Sequence, residues 1–103
     1  MAYSLDISDE AHEDLRQTIG YIAIQLKNPP AARDLKNNIL ELYKSLLVHP
    51  EIYAFARDER IAAKGFRVAP VEKYLVVYKV DKANKEVIIH NVFYGARAYQ
   101  ELL

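Results

Sequence analysis

The chain has 103 residues, with 14 basic and 14 acidic side chains, three histidines and no cysteine. This length fits one domain, here 1–103, and folding buries roughly two-thirds of the surface that the unfolded chain exposes. The lack of cysteine excludes a disulfide framework and thiolate metal sites, and it suits a reducing compartment. No basic leader precedes an apolar run and no stretch approaches about 20 apolar residues, so we expect a cytoplasmic domain with no membrane span.

The overall neutrality hides an asymmetry between the two halves of the chain. Residues 1–56 hold five Lys/Arg against eight Asp/Glu, whereas residues 57–103 hold nine against six. A basic C-terminal half is compatible with an acidic or phosphate-bearing partner. This excess is nevertheless small beside the roughly six to ten phosphate contacts of a strong nucleic-acid binder.

A short strand and a long helix are predicted first. Residues 3–7 alternate apolar with polar side chains, which is typical of a strand with one buried face. Ser8 has the chemistry of a helix N-cap, because its hydroxyl can accept from a free backbone N–H. Apolar residues at spacings of three and four then predict a helix from Asp9 to Leu26, within which Gly20 marks either close packing or a bend.

A second helix follows a proline break. Asn28-Pro29-Pro30 ends the first helix and starts the next, since proline is tolerated in a first helical turn but cannot donate to the turn before it. A second apolar stripe continues until His49-Pro50, so we expect two antiparallel helices. Residues 51–65 then lose periodicity, and this stretch is either a plain connector or an edge of the working surface.

Beyond Gly65 the pattern changes to a period of two. It predicts strands over residues 66–68, 74–80 and 87–94, with a hairpin loop over 81–86. The order strand, helix, helix, three strands predicts an α+β fold, in which the N-terminal strand and the three C-terminal strands form an antiparallel sheet. We expect the two-helix hairpin to pack on one face of that sheet, and the other face to be concave, partly exposed and available to a partner.

Residues that could carry chemistry gather on the closing strand. Strict alternation puts His90 and Tyr94 on one face, Arg97 and Tyr99 follow at its exit, and Arg67 could add a second guanidinium at the same end of the sheet. Arginine binds phosphate bidentately, aromatic rings stack on bases and histidine moves a proton near neutral pH. This set of side chains could therefore bind a phosphodiester. Chance occurrence of tyrosine and arginine near a sheet edge explains it equally well.

Common cofactor and metal motifs are missing. The sequence has no P-loop, no dinucleotide-binding glycine motif and no nucleophile elbow, and its three histidines lack metal-ligand spacing. We therefore expect neither a cofactor nor a metal.

At this point the residues resemble a known family. The matching segments are Gly65-Phe66-Arg67, residues 74–80, residues 87–89 and 92–97, Tyr99 and Leu102-Leu103, together with Ile7-Ser8, Ala11, Leu15, Asn28-Pro29, Ala31-Ala32 and His49-Pro50 near the start. Their order and spacing are similar to those of the RelE/ParE superfamily of bacterial type II toxins, over nearly the whole chain. The resemblance implies a toxin that a cognate antitoxin protein neutralises until proteolysis frees it.

Two activities divide that superfamily. RelE-like members cut messenger RNA in the ribosome by metal-independent acid–base chemistry, whereas ParE-like members inhibit DNA gyrase. The resemblance carries Arg67 over best, as a basic catalytic residue. Arg97 corresponds to a C-terminal arginine of both branches, and Tyr94 replaces a histidine.

Two further positions carry over more loosely. Tyr99 matches a terminal tyrosine of some nucleases, and Glu59 matches the general base of a related nuclease. Against a nuclease, Ala69, Leu75 and Ala98 stand where basic or acidic residues are common. We therefore expect a gyrase-poisoning, binding-type toxin first. A ribosome-dependent endoribonuclease that uses Arg67, Arg97, Tyr94, Tyr99, His90 and Glu59 is the alternative, and an inactive relic that only binds the antitoxin is a third.

Overall fold

A helix hairpin covers one face of a four-stranded sheet in the computed structural model, which describes residues 2–95. The elements are, in chain order, β1 (Ser4–Ile7), α1 (Asp9–Gly20), a π-helical turn (Tyr21–Gln25), α2 (Pro29–Val48), α3 (Glu59–Ala63), β2 (Arg67–Val71), β3 (Tyr74–Asp81) and β4 (Glu86–Tyr94). The predicted α+β class and the order of its main elements are confirmed. Within residues 2–95, none of the helices is long and apolar enough to span a membrane.

The sheet has the strand order β1-β4-β3-β2, and it is mixed instead of wholly antiparallel. Tight hairpins join the last three strands, so β3 is antiparallel to both of its neighbours. The strand β1, however, pairs in parallel with β4, with Ser4 opposite Glu86 and Ile7 opposite Ile89. Two parallel neighbours need a long connection between them. Here the connection from β1 to β4 starts with the helix hairpin and continues through α3, β2 and β3.

The main core lies between α2 and the helix-facing side of the sheet. Its largest fully buried side chains on the two layers are Leu35, Ile39, Leu46, Val76, Tyr78, Val87 and Ile89. The predicted N-cap Ser8 and a second N-cap, Asn28, are present. The Ser8 hydroxyl accepts from the N–H of Ala11 and donates to the carbonyl of His90 at 2.7 Å. The Asn28 side chain caps α2 by accepting from the N–H of Ala31. Ser8 thus ties the start of α1 to the middle of β4.

The first helix changes type at Gly20. The α-helix ends there, and a π-helical turn continues to Gln25, where the N–H of Leu26 bonds to the carbonyl of Tyr21. A Cβ added at Gly20 would meet nothing within 4 Å, so close packing is not why glycine stands here. The π turn leaves Tyr21, Ile24 and Leu26 exposed to solvent.

The second face of the sheet is partly covered, which agrees with the expectation of a partly exposed face. A second apolar cluster joins Ala56, Ile61 and Phe66 to Val77 and Phe93 on this side. It forms because the stretch that lacks periodicity contains α3, whose N-cap Asp58 accepts from the N–H groups of Arg60 and Ile61. A helix of five residues is too short to produce an apolar stripe in the sequence.

The strand β2 is longer than predicted. It runs through Pro70 to Val71, because β2 is an edge strand of the sheet, where a residue without an N–H is tolerated. Its register pairs Arg67 with Tyr78 and Val71 with Tyr74.

Candidate functional site

The guanidinium of Arg67 binds a neighbouring loop. Its Nη1 donates to the carbonyl of Tyr53 at 2.7 Å and to that of Glu51 at 3.4 Å. Its Nη2 lies 3.7 Å from the Glu51 carboxylate, and the side chain is only 11% exposed. The guanidinium also lies 4.0 Å from the centre of the Phe55 ring. Arg67 therefore holds the shape of the loop, residues 49–55, which we call the anchored loop.

Strand register separates Arg67 from the end of β4. Residues that pair across antiparallel strands share a face, so Arg67 lies on the helix-facing side with its partner Tyr78. Tyr94 pairs with Tyr74 on the same side, but Tyr74 and Tyr78 are four residues apart along β3, or roughly 13 Å. The end of β4 at Tyr94 therefore lies at the opposite end of the sheet from Arg67.

A β-bulge in β4 places His90 on the other side of the sheet. Val77 pairs with Asn91 but Tyr78 pairs with Ile89, so His90 is the extra residue. Its ring packs edge-to-face on Phe66 of the second cluster, with centroids 4.9 Å apart. The expectation that His90 and Tyr94 share a face is therefore wrong, because a bulge resets the alternation of side chains along a strand.

His90 is partly desolvated and lies among charges of both signs. Lys79 lies over the same Phe66 ring, with its Nζ 4.3 Å from the centroid. Burial, and secondarily the charge of Lys79, lower the pKa of His90 below its usual value. The charges of Glu10 and Asp6 act in the opposite direction and raise this pKa. A neutral imidazole in this position is chemically able to accept a proton.

Tyr94 borders an apolar groove between the helix hairpin and the sheet. Its ring packs edge-to-face on Tyr74 at 5.6 Å, and burial raises the pKa of Tyr74, with Tyr94 and other neighbours adding to the shift. The groove encloses about 960 Å³, and its lining includes Tyr21, Ile22, Leu26, Ala31, Tyr74 and Tyr94. We call it the helix–sheet groove. The rest of the lining is polar or charged, namely Gln17, Thr18, Asn28, Glu72 and Lys73. Apolar and aromatic side chains with a single cation among them suit a protein segment better than a nucleic-acid backbone.

Gly95 fixes the exit of the chain beside this groove. Its N–H donates to the carbonyl of Lys73 at 2.7 Å, and a Cβ added at Gly95 would lie 2.9 Å from that oxygen. Glycine is required here because the backbone of the β2–β3 turn approaches so closely.

The remaining predicted site residues do not complete a cluster. Glu59 is exposed at the first position of α3. Since Ile61 of this helix packs in the second apolar cluster, Glu59 lies on the same side of the sheet as His90. Arg97 and Tyr99 lie outside the described residues. Arg67, His90, Tyr94 and Glu59 are thus spread over two faces and both ends of the sheet, and their catalytic roles stay predictions. Across residues 2–95, no group of three or more His, Cys, Asp or Glu side chains could hold a metal.

The structure brings forward two surfaces: one that the sequence did not single out, and one that overlaps residues 51–65, the stretch offered above as an edge of the working surface. One is the helix–sheet groove, for which the clue was an apolar stripe that continues through Tyr21 and Leu26 past Gly20. The other is the anchored loop, where Pro50 accepts a 3.0 Å hydrogen bond from the buried Tyr78 hydroxyl. Long-range contacts of this kind leave no periodic signal in the sequence.

Comparison with known proteins gives one family and one fold. A model of the family described as "ParE toxin of type II toxin-antitoxin system, parDE" matches residues 5–99. No curated protein sequence is significantly similar to the chain.

Three solved structures resemble the chain at low sequence identity. A chain of the chromosomal ParDE system from P. aeruginosa is 22% identical, with a TM-score of 0.70 over 89% of this chain and 95% of that one. A chain of the RelBE2 toxin–antitoxin complex from Mycobacterium tuberculosis is 19% identical, with a TM-score of 0.64 over 91% and 99%. A mutant of the E. coli toxin RelE in the free state is 21% identical, with a TM-score of 0.56 over the full length of both chains. At these identities, the likeness establishes the fold.

Proposed function

Since the chain belongs to the ParE toxin family of type II toxin–antitoxin systems, we propose that it arrests growth by binding a large protein target, DNA gyrase, in the cytoplasm. A cognate antitoxin protein neutralises it until that antitoxin is degraded. In this proposal the chain acts as a binding protein and not as a nuclease.

The main support is the engagement of Arg67, the residue on which a nuclease would depend most. Cutting RNA through its 2′-hydroxyl needs a base, an acid and cations around one phosphate. Arg67 instead donates to the carbonyls of Tyr53 and Glu51 and is almost buried. The described candidates His90 and Tyr94 lie on opposite sides of the sheet, which leaves the nuclease alternative without a described catalytic cluster.

The helix–sheet groove supports the antitoxin partner. Tyr21 and Leu26 stand exposed at this groove beside the half-buried Tyr74, and an amphipathic or extended protein segment would bury them. Two of the similar structures come from the ParDE system and the RelBE2 complex. In this proposal the groove receives a segment of the antitoxin.

Expression in cells tests the proposal directly. The chain is induced with and without the short open reading frame expected beside its gene, while growth, DNA-damage signalling and messenger RNA integrity are followed. We expect growth arrest with DNA-damage signalling and intact transcripts, and rescue by the neighbouring protein. Cuts within codons that disappear in an Arg67→Ala variant would establish the nuclease alternative, and absence of arrest would establish the relic.

Purified components provide the second test. We expect the chain to inhibit supercoiling by gyrase and to accumulate cleaved DNA, and the purified antitoxin to reverse both effects. A Leu26→Asp variant should escape rescue by the antitoxin while it still inhibits gyrase. The matched control is Leu40→Asp, which changes an exposed leucine on α2 outside the groove and should leave rescue intact.

A further inference from the structure

Three tyrosines from three different elements meet in the helix–sheet groove. Tyr21 opens the π-helical turn, Tyr74 begins β3 and Tyr94 ends β4, and all three line the groove. Tyr74 and Tyr94 are paired across the strands, and their rings pack edge-to-face with centroids 5.6 Å apart. Tyr21 is 56% exposed and Tyr94 is 45% exposed, so much of the surface of these two side chains is open to a ligand.

A carboxylate lies beside these rings. Glu72 lines the same groove from the two-residue turn between β2 and β3. Its Oε2 accepts from the Asn38 side chain at 2.9 Å, and its Oε1 has no partner among the described residues. Burial raises the pKa of Tyr74, and negative charge on Tyr94, Glu72 and Tyr21 raises it further, so these groups lie close to one another. We call the three tyrosines and Glu72 the tyrosine box.

The groove's own cation does not fill this box. Lys73 lines the groove, yet within residues 2–95 its ammonium group is in no ion pair and lies over no aromatic ring. The backbone around the box is fixed, because the N–H of Gly95, next to Tyr94, donates to the carbonyl of Lys73, next to Glu72, at 2.7 Å. The box is therefore formed before a ligand arrives, which lowers the entropic cost of binding.

Aromatic rings and a carboxylate together select a cation. The face of an aromatic ring attracts an ammonium or guanidinium group within about 6 Å of its centre, more strongly where water is excluded. A carboxylate oxygen adds a charge-assisted hydrogen bond to such a group. A phosphate would instead be repelled by Glu72. An apolar side chain that covered the box would leave this carboxylate desolvated without a positive partner.

We propose that the tyrosine box binds a lysine or arginine side chain of the antitoxin, with the cation over the tyrosine rings and its N–H groups donating to Glu72. This inference rests on the proposed function, because it names the chemistry of the antitoxin segment that the groove receives. Apolar residues beside that basic residue then cover Ile22 and Leu26, which line the groove next to the box.

Binding of the purified antitoxin tests the box. Glu72→Gln removes the charge but keeps an acceptor for Asn38, and Glu41→Gln is its matched control, because Glu41 is an exposed carboxylate on α2 outside the groove. Tyr21→Leu removes a ring, and Tyr21→Phe keeps it. Calorimetry measures each affinity, and urea midpoints check that each variant is folded. We expect Glu72→Gln and Tyr21→Leu to weaken binding about tenfold, and both controls to stay within about twofold of the parent.

The basic residue is identified from the antitoxin side. Each lysine and arginine of the antitoxin is replaced by methionine, and each replacement is also tested against Glu72→Gln. We expect one replacement to weaken binding to the parent chain about tenfold and to change binding to Glu72→Gln much less, because residues in contact are not additive. If the antitoxin binds but none of its cations couples to Glu72, or Arg97 of this chain couples to Glu72 instead, the inference fails and the proposed partner stands.

A small probe decides the case in which the neighbouring protein does not bind. The proposed antitoxin pairing then fails, and acetyl-arginine amide is titrated into the chain, with acetyl-glutamine amide as the neutral control. We expect the arginine probe alone to shift the ring NMR signals of the box tyrosines, and to do so less in Glu72→Gln. That result would assign the box to a basic side chain of another protein. Equal shifts from both probes, or none from either, would overturn the inference.

Discussion

Arg67 lies over the ring of Phe55 at 4.0 Å and donates to the carbonyl of Tyr53 at 2.7 Å, so one side chain joins the first residue of β2 to the anchored loop. A half-buried arginine with this many partners has a structural role whether or not it also touches a ligand. Its loss would leave a loop carbonyl without a donor and an aromatic ring without its cation.

Replacement of Arg67 should therefore destabilise the fold. We expect Arg67→Ala to lower the free energy of unfolding by about 2–3 kcal/mol, since hydrogen bonds from a charged group are lost in a partly buried setting. Urea denaturation measures the change. Arg60→Ala is the control, because Arg60 is 83% exposed and its ion pair with Asp58 spans 3.5 Å; it should cost less than about 0.5 kcal/mol. Equal effects in the two variants would show that Arg67 does not anchor the loop.

Loss of the hydroxyl group should have different effects on the free energy of unfolding at two buried tyrosines, Tyr43 and Tyr78. The hydroxyl of Tyr43 is buried and has no hydrogen-bond partner among residues 2–95, and burial, with a smaller contribution from Asp14, raises its pKa to about 12. The Tyr78 hydroxyl donates to Pro50. We expect Tyr43→Phe to be neutral or stabilising by up to about 1 kcal/mol, and Tyr78→Phe to cost about 1–2 kcal/mol. Thermal unfolding of both variants measures this, and the reverse ranking would contradict it.

Alanine substitutions at Gly95 and Gly20 should change the free energy of unfolding in opposite directions, because Gly95 lies in a close contact and Gly20 at an open site. We expect Gly95→Ala to lower the free energy of unfolding by about 1–3 kcal/mol, because its Cβ would press on the carbonyl oxygen of Lys73 at 2.9 Å. Gly20→Ala should instead stabilise the chain by about 0.5–1 kcal/mol, since it adds helix propensity at a site with nothing within 4 Å. Urea midpoints of the two single variants measure both changes. A stabilising Gly95→Ala would rule out the tight approach of β4 to the β2–β3 turn.

The histidine at the bulge should make stability depend on pH. Burial and Lys79 lower the pKa of folded His90, so the folded state binds fewer protons than the unfolded chain. The contribution of neutral His90 to stability is therefore complete above its unfolded pKa of about 6.5. It is lost as the pH falls through the lower pKa of the folded state. We expect His90→Gln to lose less stability than the parent between neutral and mildly acidic pH, as measured by urea midpoints.

The periodicity of the sequence predicted the two long helices and the strands, but it could not predict on which face of the sheet each side chain lies. Ser8, Asn28 and the proline break carry local signals, because a cap bonds to residues three positions away. The bulge at His90 has no such local signal, since it arises from pairing between β3 and β4. One extra residue there moved the histidine away from Tyr94 and removed the predicted cluster.

The role of Arg67 was equally hidden. An arginine at the start of a strand looks the same in sequence whether it faces solvent or binds a loop 14 residues earlier, as this one does through Tyr53. α3 was missed for a related reason, because a single turn contributes only Ile61 to the second cluster. In both cases a contact between distant parts of the chain decided the outcome.

The strand order carries a consequence for synthesis of the chain. β4 is the last described strand along the chain, yet it lies between β1 and β3, and Ser4 and Glu86 meet across 82 positions. A nascent chain that has not reached Tyr94 has neither a partner for its first strand nor a closed core, and distant pairings of this kind assemble late. A partly synthesised chain thus lacks a central strand of its sheet, and the fold is complete only when translation is nearly finished.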